Sequence, residues 1–186
     1  MRPLTLFVRT LAATRAAQTA RVFTLAMGLA LGLAFAGSAT ALTPQQAAAI
    51  ASGDSESRLA ALAERLAAED PALPAFIDAL LADEVKVAGD RAFIVRDGQT
   101  TEAGTTNVVP LPDGAEGVTN NTRMRREFQS ARAALALRSP DRAAREAALR
   151  SLRDGLEEAQ LPLLERALAA ETDPELKEGL QRLRAS

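Results

Sequence analysis

The sequence predicts a mostly α-helical protein with a small β-hairpin insertion. Three observations lead there. Leucines and alanines recur at +3 and +4 through most of residues 42–186, the spacing of one helical face. That period breaks once, at residues 84–98, where β-branched residues gather around a Gly-Asp pair. Helix-sized motifs also repeat. LPAFIDALLAD at 73 and LPLLERALAAE at 161 share the frame L-P-x-x-x-x-A-L-x-A-acid, and Ala148, Leu149, Leu152 and Arg153 return 31 residues later as Gly179, Leu180, Leu183 and Arg184. A helix pair of that period is the size of a helical-solenoid unit, so a short HEAT-like antiparallel stack is expected.

In chain order, residues 1–41 read as a signal peptide. Arg2, Arg9, Arg15 and Arg21 are accompanied by no acid, the apolar run VFTLAMGLALGLAFA follows at 22–36, and Ala39 and Ala41 in GSATA give the small-x-small cleavage pattern. Cleavage after Ala41 would make Leu42 the new terminus and the periplasm the destination. The alternative is an uncleaved inner-membrane anchor, since residues 22–41 number 20, enough to span a bilayer. The shorter strongly apolar part and the small, polar exit favour cleavage. No arginine pair precedes the run, so the general secretory route is expected.

The N-terminal helical segment, 42–83, starts with an alanine-rich helix from Thr43 or Pro44 to Ser52. Asp54 or Ser55 caps a second helix, with Leu59, Leu62 and Leu66 on one face. Residues 73–83 form a third with Pro74 in its first turn, where a missing amide proton costs nothing. The second and third are expected to pair antiparallel. The β-containing insertion, 84–118, has Val85, Val87, Ile94 and Val95 around a Gly89-Asp90 turn, then a Gly-, Thr-, Asn- and Pro-rich loop with VVPL, 108–111, as at most a third short strand. The HEAT-like part, 119–186, opens with Met124, Phe128, Ala131 and Leu135 on one face. Ser139-Pro140-Asp141 then starts a helix with Ala144, Ala148, Leu149 and Leu152 inward, and residues 161–171 and 173–183 supply the last two.

Composition excludes much chemistry. The chain has no histidine, cysteine, tryptophan or tyrosine. Ser-His-Asp and Cys-His triads and Cys/His zinc sites are therefore impossible, and no disulfide holds the fold. Residues 42–186 must be held by packing alone, a length sufficient for a real core. Asp54, Glu56, Asp83, Glu84, Asp154, Glu157 and Glu158 leave carboxylate chemistry open, but none has EF-hand or glycosidase spacing. Neither a Walker A loop nor G-x-G-x-x-G is present. The expectation is no enzyme, no catalytic residue, no cofactor and no metal. After residue 41 the chain carries 18 of its 22 basic residues against all 24 acidic ones, which argues against nucleic acid.

One cluster breaks a local rule. In NNTRMRRE, at 120–127, a helix capped by Asn120, Asn121 or Thr122 carries Arg123, Arg125 and Arg126 in its first turn, where the helix dipole disfavours cations. Either an Asp or Glu of the insertion, such as Asp113 or Glu116, folds back to neutralise them, or they meet an acidic partner or a membrane-side surface. On the second reading all three are partner-binding residues.

PAFIDALLADEVKVAGDRAFIVRDG, the loop ending in VTNNTRMRRE, ARAALALRSPDRAAREAALRSL and LPLLERALAAETDPELK resemble, in the same order, the extracytoplasmic extension of the permease subunit of urea ABC transporters, within the branched-chain amino-acid transporter group. The resemblance runs over residues 57–177, and its specificity lies in the combination, since no single piece is a catalytic motif. It implies a non-enzymatic accessory region supporting solute uptake, docked to the transporter membrane subunit, a periplasmic solute-binding protein, or both. After Ala41 no run of about 20 apolar residues follows, so no solute-pathway residue carries over. A permease fragment, a truncated frame and a split gene product all fit that departure. The alternative function is a free-standing periplasmic adaptor or chaperone-like interaction module.

Overall fold

A computed structural model describes residues 42–153 and 156–185. The predicted leader, its cleavage site and Asp154 lie outside the described residues. The fold class is as expected, mostly helical with a small antiparallel sheet between the two helical parts. Among the described residues no helix is long and apolar enough to cross a membrane.

Helices α1 (Pro44–Ala51), α2 (Ser55–Ala67) and α3 (Leu73–Leu81) precede the sheet. Local chemistry sets their starts. Thr43 and Gln46 form a reciprocal capping box on α1, Asp54 accepts from the amides of Glu56 and Ser57 at 3.0 Å to cap α2, and Pro74 occupies the first turn of α3. The predicted pairing of α2 with α3 is replaced by another arrangement. Helix α2 packs on α1, and α3 packs on the long helix that follows the sheet.

The sheet exceeds the predicted hairpin. Strands β1 (Val85–Ala88) and β2 (Arg91–Arg96) pair antiparallel around Gly89-Asp90, as expected. A second hairpin then follows through Asp97-Gly98 to β3 (Gln99–Glu102). Both turn residues have positive φ, 52° and 76°, the backbone that a tight Asp-Gly hairpin turn requires. Residues 108–111 form no strand. Val108 makes a single bridge to Thr101, and β4 (Glu116–Gly117) closes the order β3-β2-β1-β4.

Helix α1 packs on both β2 and α2 with Ala47, Ala48, Ile50 and Ala51 buried, which ties the sheet into the core. Adjacent strand residues point to opposite faces, so Ala92 joins that core while Phe93, 1% exposed, faces away beneath the Arg91 guanidinium, 5.3 Å from its ring. Gly104 turns the chain at φ 77°, with the Leu42 carbonyl pressed against the place a Cβ would occupy.

The second helical part holds α4 (Thr122–Ala136), α5 (Arg142–Leu152), a 3-10 turn (Glu158–Gln160), α6 (Leu161–Ala170) and α7 (Pro174–Arg184). Helix α4 packs on α5, α6 on α7, and α5 on α7, giving two stacked helical hairpins. The predicted inward faces are found: Met124, Phe128, Ala131, Ala148, Leu149 and Leu152 are buried, and Leu135 and Ala144 are half-buried. The 31-residue echo also has a physical role. At Gly179 a Cβ would strike the Leu149 side chain, so glycine allows α7 to lie close against α5.

Charged clamps join the layers. Arg142 donates to Asp173 at 2.7 Å and Glu175 at 2.9 Å, and Arg145 donates to the buried Glu171 at 2.8 Å. Glu69, in the α2–α3 turn at φ 51°, receives both Arg138 and Arg166.

Candidate functional site

Asn121 caps α4, its side-chain oxygen accepting from the Met124 amide at 2.9 Å. The three arginines that follow have separate surroundings. Arg125, half-buried, donates to both Asp83 carboxylate oxygens at 2.7 and 2.6 Å and to the Leu81 carbonyl at 3.1 Å. Its charge is therefore matched by the negative C-terminal end of α3, which offsets the unfavourable dipole of its own helix. The acid expected to reach it was one of the insertion's, such as Asp113 or Glu116, and the acid found is Asp83. Arg132, two turns on, meets Asp78 at 2.5 Å, so two ion pairs staple α3 and α4 antiparallel. Arg123 and Arg126 are exposed.

Asn120 was a candidate cap, but it is 8% exposed and does different work. Its Oδ1 accepts from Arg58 Nη2 at 2.6 Å, and its Nδ2 donates to the Leu80 carbonyl at 2.8 Å. Arg58, 5% exposed, also donates to the carbonyls of Ile50 at 2.9 Å and Thr119 at 3.4 Å, and lies 5.7 Å from the Phe128 ring centroid. These acceptors are neutral, and burial lowers the Arg58 pKa from its ordinary value. The cluster joins the ends of α1 and α3 to the strand-to-helix junction.

Beside it runs a groove of about 490 Å³. Leu59, Leu62, Ala63 and Leu66 of α2 form its floor, Arg123 and Glu127 of α4 one wall, and residues 157–160 the other. Leu62 and Leu66 belong to the core, whereas Leu59 and Ala63, one stripe over on the same helix, remain half-exposed. Gln160 fixes the second wall. It is 2% exposed, and its Oε1 accepts from Ser130 at 3.0 Å and from the Glu157 amide at 3.3 Å. Leu161, the next residue, is one of two large hydrophobic residues left exposed among those described, at 40%.

The groove's charge is mainly acidic. Burial raises the pKa of Glu127, the Glu157 carboxylate raises it further, and Arg123 and Arg126 act in the opposite direction. Of the acids noted in the sequence, Glu157 and Glu158 line this groove, Asp54 caps α2, Asp83 pairs with Arg125, Glu84 pairs with Arg96 at 2.6 Å, and Glu56 lies exposed in the first turn of α2. Among the described residues no group of three acids is placed to hold a metal ion.

Sequence reasoning missed Arg58, the buried bonding of Asn120 and the groove itself. The signal for the first two was an arginine directly before Leu59 on the leucine-bearing helix and an asparagine doublet where one cap is enough. The groove had no local signal, because its two walls lie about 60 and about 95 residues along the chain from its floor. Compared with protein families, curated proteins and solved structures, the chain matches none.

Proposed function

We propose that this chain is a non-enzymatic, exported accessory domain that supports solute uptake by docking onto a component of a urea- or amide-type ABC transporter. The observation that carries docking is the groove on α2, where apolar floor and charged walls stand open beside an exposed leucine. Uncovered apolar surface of this kind costs free energy in water and favours a partner that covers it. The transporter class rests on the ordered resemblance over residues 57–177. Its pieces fall on α3, the sheet, the Asn120 junction and the α5–α7 stack, the elements that build the fold.

Co-purification of the full chain with the cognate permease and solute-binding protein tests the proposal. Recovery of either subunit is expected, and clean absence of all transporter subunits overturns it. Glu127 beside Glu157 favours a second reading, a carboxylate-dependent hydrolase using the groove as its cleft. Turnover of a glycoside or ester substrate that disappears in Glu127→Gln would establish it.

A further inference from the structure

We infer that the α2 groove receives an amphipathic helix whose apolar face covers Leu59 and Ala63 and whose flanking lysine or arginine side chains meet Glu127, Glu157 and Glu158. The inference rests on the docking proposed above and adds the chemistry of the docked segment. The shape sets the apolar half of the requirement. Leu59 and Ala63 are spaced i,i+4 along one stripe of α2, so the uncovered surface is a strip parallel to a helix axis. A second helix laid along such a strip presents its own residues at i, i+3 and i+4, as in helix-in-groove recognition.

Charge sets the other half. Three carboxylates and one guanidinium, Arg123, line the walls, on two different elements. Glu127 is partly buried, and the Glu157 carboxylate further disfavours its ionisation. A cation placed between them relieves both penalties, whereas an anion adds a third repulsion. An acidic or neutral helix would fill the floor equally well and leave the walls uncompensated. Basic flanks therefore give selectivity through charge repelled as well as charge attracted.

Fluorescence anisotropy on the full chain tests this with two labelled 14-residue amphipathic peptides, one of leucine and lysine and one of leucine and glutamate. The lysine peptide is expected to bind saturably, at least tenfold tighter than the glutamate peptide. Leu59→Glu, at a half-exposed position whose variant is first checked for an unchanged circular-dichroism spectrum, should abolish binding, and the double change E157Q/E158Q should weaken it at least threefold. Absence of saturable binding, equal binding of the two peptides, or binding unaffected by Leu59→Glu overturns the inference. A parallel co-purification with Leu59→Glu separates this inference from the docking proposal. Transporter subunits retained by the variant would leave docking standing and move it to another face, while subunits lost with the variant support the groove. Subunits absent even from the wild type overturn the transporter reading, and the peptides alone then decide the groove.

Discussion

Arg58 and Asn120, sixty-two residues apart in sequence, meet at 2.6 Å inside the core. The arginine brings a charge into a place that offers only neutral oxygens. The asparagine is suited to answer it because its amide group both accepts and donates, passing from the guanidinium to the Leu80 carbonyl. Asn120→Ala removes both bonds and leaves a buried Arg58 donor unpaired, while the Leu80 carbonyl keeps its bond from the Asp83 amide, and should cost about 1–3 kcal/mol. Asn120→Asp supplies a counter-charge for Arg58 but loses the donor to Leu80, so it should cost less. Chemical denaturation of both variants checks the order.

Arg125, Arg123 and Arg126 should separate cleanly. Arg125→Gln loses the bidentate pair with Asp83, both partners being partly exposed, and should cost about 1 kcal/mol. Arg123→Gln and Arg126→Gln should stay within about 0.5 kcal/mol of wild type, as exposed substitutions do. Equal effects at all three positions, read by thermal melting, would contradict the assignment of a structural role to Arg125 alone.

Arg145 and Arg142 provide a second contrast, three residues apart on one helix. Arg145→Ala strands Glu171, whose side chain is 3% exposed, and should cost about 2–4 kcal/mol. Arg142→Ala, at an arginine 48% exposed, should cost less than about 1 kcal/mol despite removing more ion pairs. Burial, more than the number of bonds, decides which loss is felt.

Gly104→Ala should be among the most damaging single changes in the chain. The residue has φ 77°, and a methyl group there overlaps the Leu42 carbonyl, a backbone atom that no side-chain rotation moves. A loss of about 3 kcal/mol or more is expected in denaturant. Gly114→Ala, with the same left-handed backbone but open space around it, isolates the strain and should cost only about 1 kcal/mol.

Stability should slope in opposite directions on either side of pH 4.5. Glu171 is pushed up by burial, but its hydrogen bond with Arg145 and the amides of Asp173 and Thr172 bring it below its ordinary 4.5 overall. Its contribution is present above that pH and is lost as pH falls through the folded-state value. Glu127 is shifted up by burial and by Glu157, so its protonated form favours the fold. That contribution is present below 4.5 and is lost as pH rises through its folded-state value. Melting temperature against pH should lose part of its acid limb in Glu171→Gln and part of its decline above 4.5 in Glu127→Gln.

Helix starts were the most legible part of the sequence. Asp54, Asp141 and Asp173 each cap through a carboxylate that accepts from amides two or three residues on, a rule that needs no tertiary information. The second hairpin went unread, for although Asp97-Gly98 signals its turn, QTTE lacks the bulky β-branched run that marks a strand. Its pairing partner β2 supplies the order that composition does not. The partner of Arg125 was not legible, because Asp83 comes beside it only when α3 and α4 lie antiparallel. The groove is further from the sequence still, since the half-exposure of Leu59 and Ala63 depends on where the 3-10 turn at 158–160 stops.

The double clamp on Glu69 has a consequence for the time the protein stays folded. Its partners Arg138 and Arg166 lie 69 and 97 residues along the chain, so the clamp closes only after the sheet and both helical hairpins have brought them near. Interactions that form after the folding barrier is crossed do little to speed folding and slow the reverse step instead. Glu69→Gln is therefore expected to speed unfolding modestly, its arginine partners being about half exposed, while leaving the rate of folding almost unchanged.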